Sequence, residues 1–390
     1  MSDYNFCPAC GEGLVDGGNY CPSCGKPLRT VPSPPQKKNF EIMDAFKILG
    51  AWSSALLLCL LTVYVAIALW ISPEIVANIG DGGYPFFILV PFILVLFIAE
   101  GWLAVVSFLI ILAILVASFI LLAWKSPGIL REMSGDFSNE PSPLFKVGTL
   151  FAAVLFFNYL FYFLITVLGN EPSSPDFSSM DDWRLLFVLL NASVYEELIS
   201  RTLLIGVPLS IMVLMNKREG SWFRPLFGGT GMGDAEKILI VFSALFFALG
   251  HYQGWDLWKL LPTFLAGLAM GYLFVKYGLY ASVMFHFSFN FLSAPMVYSD
   301  SLLVLFLLGV TILGFLGLGF PFFLIYAKEA IESVTGKPLF PPRDGENEDS
   351  QVGDAVEEYR MPSPVCPSCG QKGALYRQGN FECPRCGKRY

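Results

Sequence analysis

Hydrophobic positions in this chain collect in long runs, at about residues 48–71, 83–124, 147–168, 185–215, 238–250, 260–275, 279–298 and 302–326, with short polar stretches between them. A helix needs about 20 predominantly apolar residues to cross a bilayer, so the pattern predicts about eight transmembrane helices, the shorter ones relying on tilt or burial in protein. The expected fold class is an all-α polytopic membrane protein. At about 1.5 Å per residue the run 83–124 would reach about 63 Å, twice a bilayer and too short for three passes. One crossing plus a bent or interfacial portion is expected there, broken at Pro91 and at the Glu100-Gly101 pair.

Composition agrees: 55% hydrophobic residues, 15% charged and a mean hydropathy of +0.59 lie outside the range of ordinary soluble proteins. Charge placement then orients the spans. Lys and Arg cluster in the N-terminal arm (Lys26, Arg29, Lys37, Lys38, Lys47), in the loop after 124, in 216–237, at Lys276 and after 326, whereas 72–84 and 169–182 contain acidic residues and neither Lys nor Arg. By the positive-inside rule the clusters mark the cytoplasm, which puts both termini there. The expected location is a prokaryotic cell membrane. No cleavable signal peptide is visible ahead of the first apolar run.

Four knuckles share one pattern: CPACG at 7–11, CPSCG at 21–25 and at 366–370, and CPRCG at 383–387. Cys7, Cys10, Cys21 and Cys24 at one end, and Cys366, Cys369, Cys383 and Cys386 at the other, have the spacing to close four thiolates around one Zn²⁺ each, with a Gly after each second Cys for the tight turn. Disulfides are the alternative, and they seldom persist in a reducing cytoplasm. Modules of about 25 residues bury too little core to fold without metal. The expected organisation is a zinc ribbon at 1–26, a Pro/Lys linker at 27–46, a transmembrane domain at 47–328, an acidic linker at 329–364 and a second ribbon at 365–390. The few basic residues of the C-terminal ribbon, on a chain of net charge −7, favour a cytosolic protein partner or structural docking over nucleic acid. Cys59, alone in an apolar run, is expected to be a small buried hydrophobe.

Charged groups inside membrane helices are expensive unless they pair or face water, so NASVYEELISRTLL at 191–204 is the most informative apolar run. Helical spacing puts Glu197 and Arg201 on one face, where they can neutralise each other, and leaves Glu196 without a local cation. A desolvated carboxylate without a partner suits a general base. The chain has two histidines, His251 in FALGH and His286 in HFSFN, with Asn290 one turn after His286. Glu196, His251, His286 and Asn290 would together supply a base, imidazoles and an amide donor. Gly267 and Gly271 form a G-x-x-x-G, expected to serve helix packing.

EELISR (Glu196, Glu197, Arg201), FALGH (Phe247, His251) and HFSFN (His286, Asn290) resemble, in order and approximate spacing, the E-E-x-x-x-R, F-x-x-x-H and H-x-x-x-N motifs of the CPBP intramembrane protease family, which includes Rce1-type CAAX prenyl proteases and the Abi proteins. The resemblance covers about residues 145–300. It implies an eight-helix membrane endopeptidase whose site opens from within the bilayer toward the cytoplasm, acting on a peptide or protein substrate. In it Glu196 would activate water with His251 assisting, His286 and Asn290 would bind the oxyanion, and Glu197, Arg201 and Phe247 would support the site. No H-E-x-x-H is present, yet Glu with two His is also a possible zinc set, so an active-site metal stays open beside the favoured metal-free reading. Two other readings are a silent scaffold that presents the ribbons and a proton-coupled transporter. Against the transporter, the N-terminal half has no counterpart of EELISR.

Overall fold

The computed structural model describes residues 42–89, 93–175, 177, 179–215, 221–292, 294, 301–339, 375–377 and 380–382. Two units divide at Tyr326 and Ala327. In the first, α1 spans Ile42–Gly82, β1 Tyr84–Leu89, β2 Ile93–Ala99, α2 Gly101–Trp124, α3 Ile129–Met133, α4 Pro143–Val167, α5 Asp182–Asn191, α6 Val207–Met215, α7 Asp234–Trp255, α8 Leu260–Lys276 and α9 Leu279–Asn290; α10 is Leu302–Thr335. Between α5 and α6 the helix continues without a break, but in π-helical turns over Ala192–Glu196 and Leu198–Gly206.

Among the described residues, seven helical segments are long and apolar enough to cross a membrane: Met43–Gly82, Gly101–Trp124, Pro143–Val167, Asp182–Met215, Asp234–Tyr252, Leu257–Lys276 and Leu302–Thr335. Their outward faces carry bulky apolar residues such as Trp70, Ile110, Phe163 and Leu302, as a lipid-facing bundle requires and a water-facing one would not tolerate. The eighth expected span, 279–298, differs. Its helix α9 ends at Asn290 and is buried from Tyr280 to Ser288, packed among α1, α2, α4, α5, α8 and the first π-helical turn. A short helix surrounded by protein need not match the bilayer's thickness, because its neighbours cover it.

Two further expectations change. The acidic stretch 72–84 is helical through Gly82, so α1 has 41 residues and passes Pro73 without ending. Cys59 is exposed on α1, facing outward. Small thiols suit a lipid-facing surface as well as a core.

Among the described residues of the first unit, the run 83–124 contains the one strand pairing in an otherwise helical bundle. Gly101, at φ +56°, breaks it, with Glu100 extended before α2; Pro91 lies outside the described residues. Ahead of the break, β1 and β2 pair antiparallel, Tyr84 opposite Ala99 and Leu89 opposite Ile93. Tyr84 donates its hydroxyl to Asn191 Oδ1 (2.5 Å), and the Tyr195 hydroxyl both donates to Phe87 O (3.0 Å) and accepts from Phe87 N (3.2 Å). These bonds tie the hairpin along the helix that carries EELISR.

Other contacts fix the register of that helix's neighbours. Ser142 caps α4 by accepting from Phe145 N, with Pro143 at the first helical position. The buried Glu132 carboxylate accepts from both Ser142 N and Ser142 Oγ, which holds the turn between α3 and α4. Gly267 and Gly271 bring α8 onto α7: a Cβ at Gly267 would stand 2.9 Å from Ala244 Cα, and one at Gly271 2.9 Å from Ile240 Cγ2. The small-residue motif is a packing device.

In the second unit, α10 continues to Thr335, and β3 (Leu375–Arg377) pairs with β4 (Asn380–Glu382), Leu375 opposite Glu382. Helix thus occupies 42–46 and 329–335 of the stretches expected to be linkers. The eight ribbon cysteines lie outside the described residues.

Candidate active site

Three elements meet at the EELISR helix: the π-helical turns, α7 and α9. π-Helical turns are rare and concentrate at functional sites, because an i→i+5 bond widens the turn and re-aims side chains. Here they present two adjacent carboxylates to different surroundings. Glu197 is sealed, its side chain and that of Arg201 both fully buried. Arg201 Nε donates to Glu197 Oε2 at 3.2 Å, Ser282 Oγ donates to the same oxygen, and His286 Nδ1 stands 3.1 Å from Oε1. Arg201 Nη1 donates to Ser243 Oγ, which donates to Ser200 O at 2.6 Å, and the guanidinium lies over the Phe247 ring at 5.1 Å. Glu197 thus ties α9, and its partner Arg201 ties α7, to the helix that carries both, through charge-assisted bonds.

Glu196 faces the other way. Its side chain keeps 17% exposure, and its Oε2 is buried with no hydrogen-bond partner. That oxygen lies 3.9 Å from His251 Nε2 and 3.9 Å from His286 Nε2. Geometry assigns the imidazole protons. His251 Nδ1 sits 2.8 Å from Phe247 O, an acceptor, so Nδ1 carries hydrogen and the neutral ring's Nε2 is an acceptor. His286 Nδ1 faces a carboxylate oxygen and carries hydrogen for the same reason, leaving the neutral ring's Nε2 an acceptor. A carboxylate oxygen and two imidazole nitrogens thus converge on one point that calls for a hydrogen donor. A water about 2.8 Å from both an oxygen and a nitrogen 3.9 Å apart subtends about 90° and fits that point.

A tetrahedral zinc fits it poorly. Bonds of about 2.0–2.1 Å would set nitrogen and oxygen about 3.4 Å apart, and the observed 3.9 Å would open each angle to about 140°. Among the described residues no group of three His, Cys, Asp or Glu has the arrangement of a metal site.

Phe247 holds both histidines. Its ring centroid is 4.7 Å from that of His251 and 5.8 Å from that of His286, edge to face. Beside them lies a cavity of about 100 Å³ lined by His251, His286, Asn290, Asn158, Lys259 and Thr263 among others. Glu196, His251, His286 and Phe247 are thus brought together, with Glu197 and Arg201 directly behind. Asn290 lines the cavity, but its amide donates to Leu189 O (3.3 Å) and Ser193 Oγ (3.1 Å), away from Glu196.

Sequence reasoning missed three polar residues of this cavity and one behind it. Asn158 interrupts an otherwise apolar run on α4, a signal of the same kind as the histidines, and donates to Val154 O at 2.9 Å. Thr263 Oγ1 is buried without a hydrogen-bond partner. Lys259 lies over the rings of Trp255 and Trp258, at 4.3 and 5.2 Å. Ser282, on Glu197, looks like any serine in an apolar helix and carries no signal of its own.

Residues 179–292 match a family model described as type II CAAX prenyl endopeptidase Rce1-like. The matched stretch contains Glu196, Glu197, Arg201, Phe247, His251, His286 and Asn290, and over it the chain is similar to CAAX-type membrane endopeptidases. No curated protein and no solved structure matches the chain.

Proposed function

We propose that the chain is an intramembrane endopeptidase that hydrolyses peptide bonds of a membrane-associated protein or peptide with water activated by Glu196. One observation carries the reading: a buried, unpartnered carboxylate oxygen equidistant from the nitrogens of two imidazoles that line a cavity. Glu196 takes a proton from water as the oxygen attacks the scissile carbonyl carbon, and His251 Nε2 accepts the water's other hydrogen bond and orients it. The carbonyl π electrons move onto oxygen; for His286 to bind that oxyanion, as the family motif implies, its Nε2 must carry a proton in addition to the one that Nδ1 directs at Glu197. Collapse of the tetrahedral intermediate breaks the C–N bond, and the proton held by Glu196 passes to the leaving nitrogen. Asn290, the second oxyanion donor that the family motif implies, must release Ser193 or Leu189 to act. The cavity already offers the Thr263 hydroxyl without such a cost.

Both terminal cysteine quartets are proposed to hold one structural Zn²⁺ each and to face the cytoplasm, where they would meet a protein partner. Zinc analysis of full-length protein against chains lacking 1–30 or 360–390 should show the loss of one ion per deletion; unchanged zinc in either deletion refutes this assignment. For the peptidase, purified protein in lipid nanodiscs is offered membrane-anchored peptides and cleavage is followed by mass spectrometry. Cleavage that vanishes in Glu196→Gln supports the reading. A Glu196→Gln protein that cleaves at the wild-type rate, or a well-folded wild type that cleaves nothing across a broad peptide panel, sinks it.

A further inference from the structure

We propose that a groove at the Lys/Arg-rich end of the bundle binds one anionic phospholipid, its headgroup on Lys125 and Arg224 and an acyl chain along α2. The groove is separate from the cavity at the histidines and has a volume of about 900 Å³, near the top of the range for ligand-sized pockets, about 300–1,000 Å³. Its mouth is set by Lys125, just after the end of α2, by Arg224 and by Lys276, the last residue of α8. Ends of apolar spans lie at headgroup level, and the half-exposed to exposed Trp124 and Phe227 beside these cations are the aromatic residues expected there. Lys276 pairs with Glu140 at 3.4 Å. Lys125 lies 4.8 Å over the Tyr280 ring, Arg224 donates to Gly229 O at 3.0 Å, and among the described residues neither pairs with a carboxylate. Three cations against one carboxylate leave the mouth positive, complementary to a phosphodiester.

Below the mouth the wall turns apolar. It follows α2 from Trp124 back to Ile114, about 15 Å deeper at 1.5 Å per residue, with Leu198 and Leu279 opposite. A charged end joined to a long apolar slot describes an amphiphile better than a free anion, which has no use for the slot. It also fits an acyl chain better than an extended peptide. The wall is built from helices whose backbone groups are already bonded within themselves, so a peptide laid along it would leave its own amides unpaired in an apolar setting, whereas an acyl chain has none. The proposal does not depend on peptidase activity.

Full-length protein is delipidated in detergent and titrated with phosphatidylglycerol or phosphatidylcholine of identical acyl chains, with bound lipid counted by native mass spectrometry and thermal stability followed in parallel. Wild type should retain one phosphatidylglycerol and prefer it by about 10–30-fold, the scale of two cations near an anionic headgroup. The double variant Lys125→Gln, Arg224→Gln should bring that ratio close to one, and Lys237→Gln, a cation at the start of α7 paired with Asp234, should leave it unchanged. Ala117→Trp fills the slot while keeping every cation, and should abolish the retained lipid; it decides the matter if the double variant fails to fold. The proposal falls if wild type shows no preference, if Lys237→Gln lowers the ratio as far as the double variant, or if Ala117→Trp binds lipid normally. Displacement of the lipid by millimolar glycerol phosphate would make this a free-anion site. Displacement by a peptide ending in a free carboxylate, at concentrations where phosphatidylglycerol does not compete, would make it a peptide groove. Both overturn the lipid assignment.

Discussion

Glu196 and Glu197 are consecutive residues of one helix, and their surroundings could hardly differ more. Glu197 is fully buried and held by Arg201, Ser282 and His286; Glu196 keeps partial exposure, with one oxygen unpartnered between two histidines. A carboxylate with donors on both oxygens has its hydrogen bonds filled and makes a good strut. One that faces only acceptors has nothing to stabilise it until a donor arrives, which is the condition of a base waiting for water. The two also share a histidine: His286 presents Nδ1 to the strut and Nε2 to the base, so the strut positions the imidazole that the base meets. Under the proposed mechanism Glu197 would correspond to the orienting carboxylate of a serine protease triad, with water in place of the serine.

The largest effect should come from breaking the Glu196 side. Glu196→Gln is expected to lower turnover by about 10²–10⁴-fold or to below detection, the contribution of a general base, with melting temperature essentially unchanged because shape and hydrogen bonding persist. Parallel measurement of turnover and melting on the same preparation checks both halves. Arg201→Ala tests the strut side. It leaves Glu197 buried without its cation, and a loss of about 3–5 kcal/mol should appear as lower yield and a lower unfolding midpoint. A fully stable Arg201→Ala protein would mean that Glu197 is not the strut described here.

Asn290→Ala and Thr263→Val sharpen the comparison by asking which donor serves the Glu196 side. Removing one oxyanion donor costs about 10²–10³ in turnover, roughly 2.7–4 kcal/mol, and the larger loss identifies the donor. If Asn290 acts only through Leu189 and Ser193, its variant should lose stability with turnover per folded molecule preserved. The smallest change is expected from Ser282→Ala, which removes one donor to Glu197 and should lower stability by about 1.5–3 kcal/mol. Rescue by Ser282→Thr, measured by the same unfolding midpoint, separates the lost hydrogen bond from lost packing.

Much of this site was legible because lipid penalises polar side chains. In a run as apolar as 185–215, Glu196, Glu197 and Arg201 stand out by type alone, as do the two histidines, and helical spacing pairs Glu197 with Arg201. Asn158 could have been found by the same criterion. Ser282 and Thr263 could not, since a hydroxyl in a membrane helix can satisfy itself on the preceding turn, and nothing in their sequence marks these two as exceptions. Fold was legible to the same depth. Long apolar runs mark spans, but run length does not distinguish a lipid-facing helix from the buried α9, nor a helix from the β1–β2 hairpin in 84–99, where apolar residues fill both faces and leave no period to read.

By itself, then, the chain determined that it is a membrane bundle, where most spans begin and end, and which charged residues must be neutralised or put to use, because transfer into lipid is priced residue by residue. Tertiary structure alone decided which carboxylate is sealed among donors and which stands unpartnered between two histidines. That choice depends on the π-helical turns that separate Glu196 from Glu197, on Ser282 and His286 arriving from α9, and on His251 arriving from α7. Each of those distances is set by packing between residues 55 to 90 positions apart in the chain, and local pattern contains no information about such encounters until the helices dock.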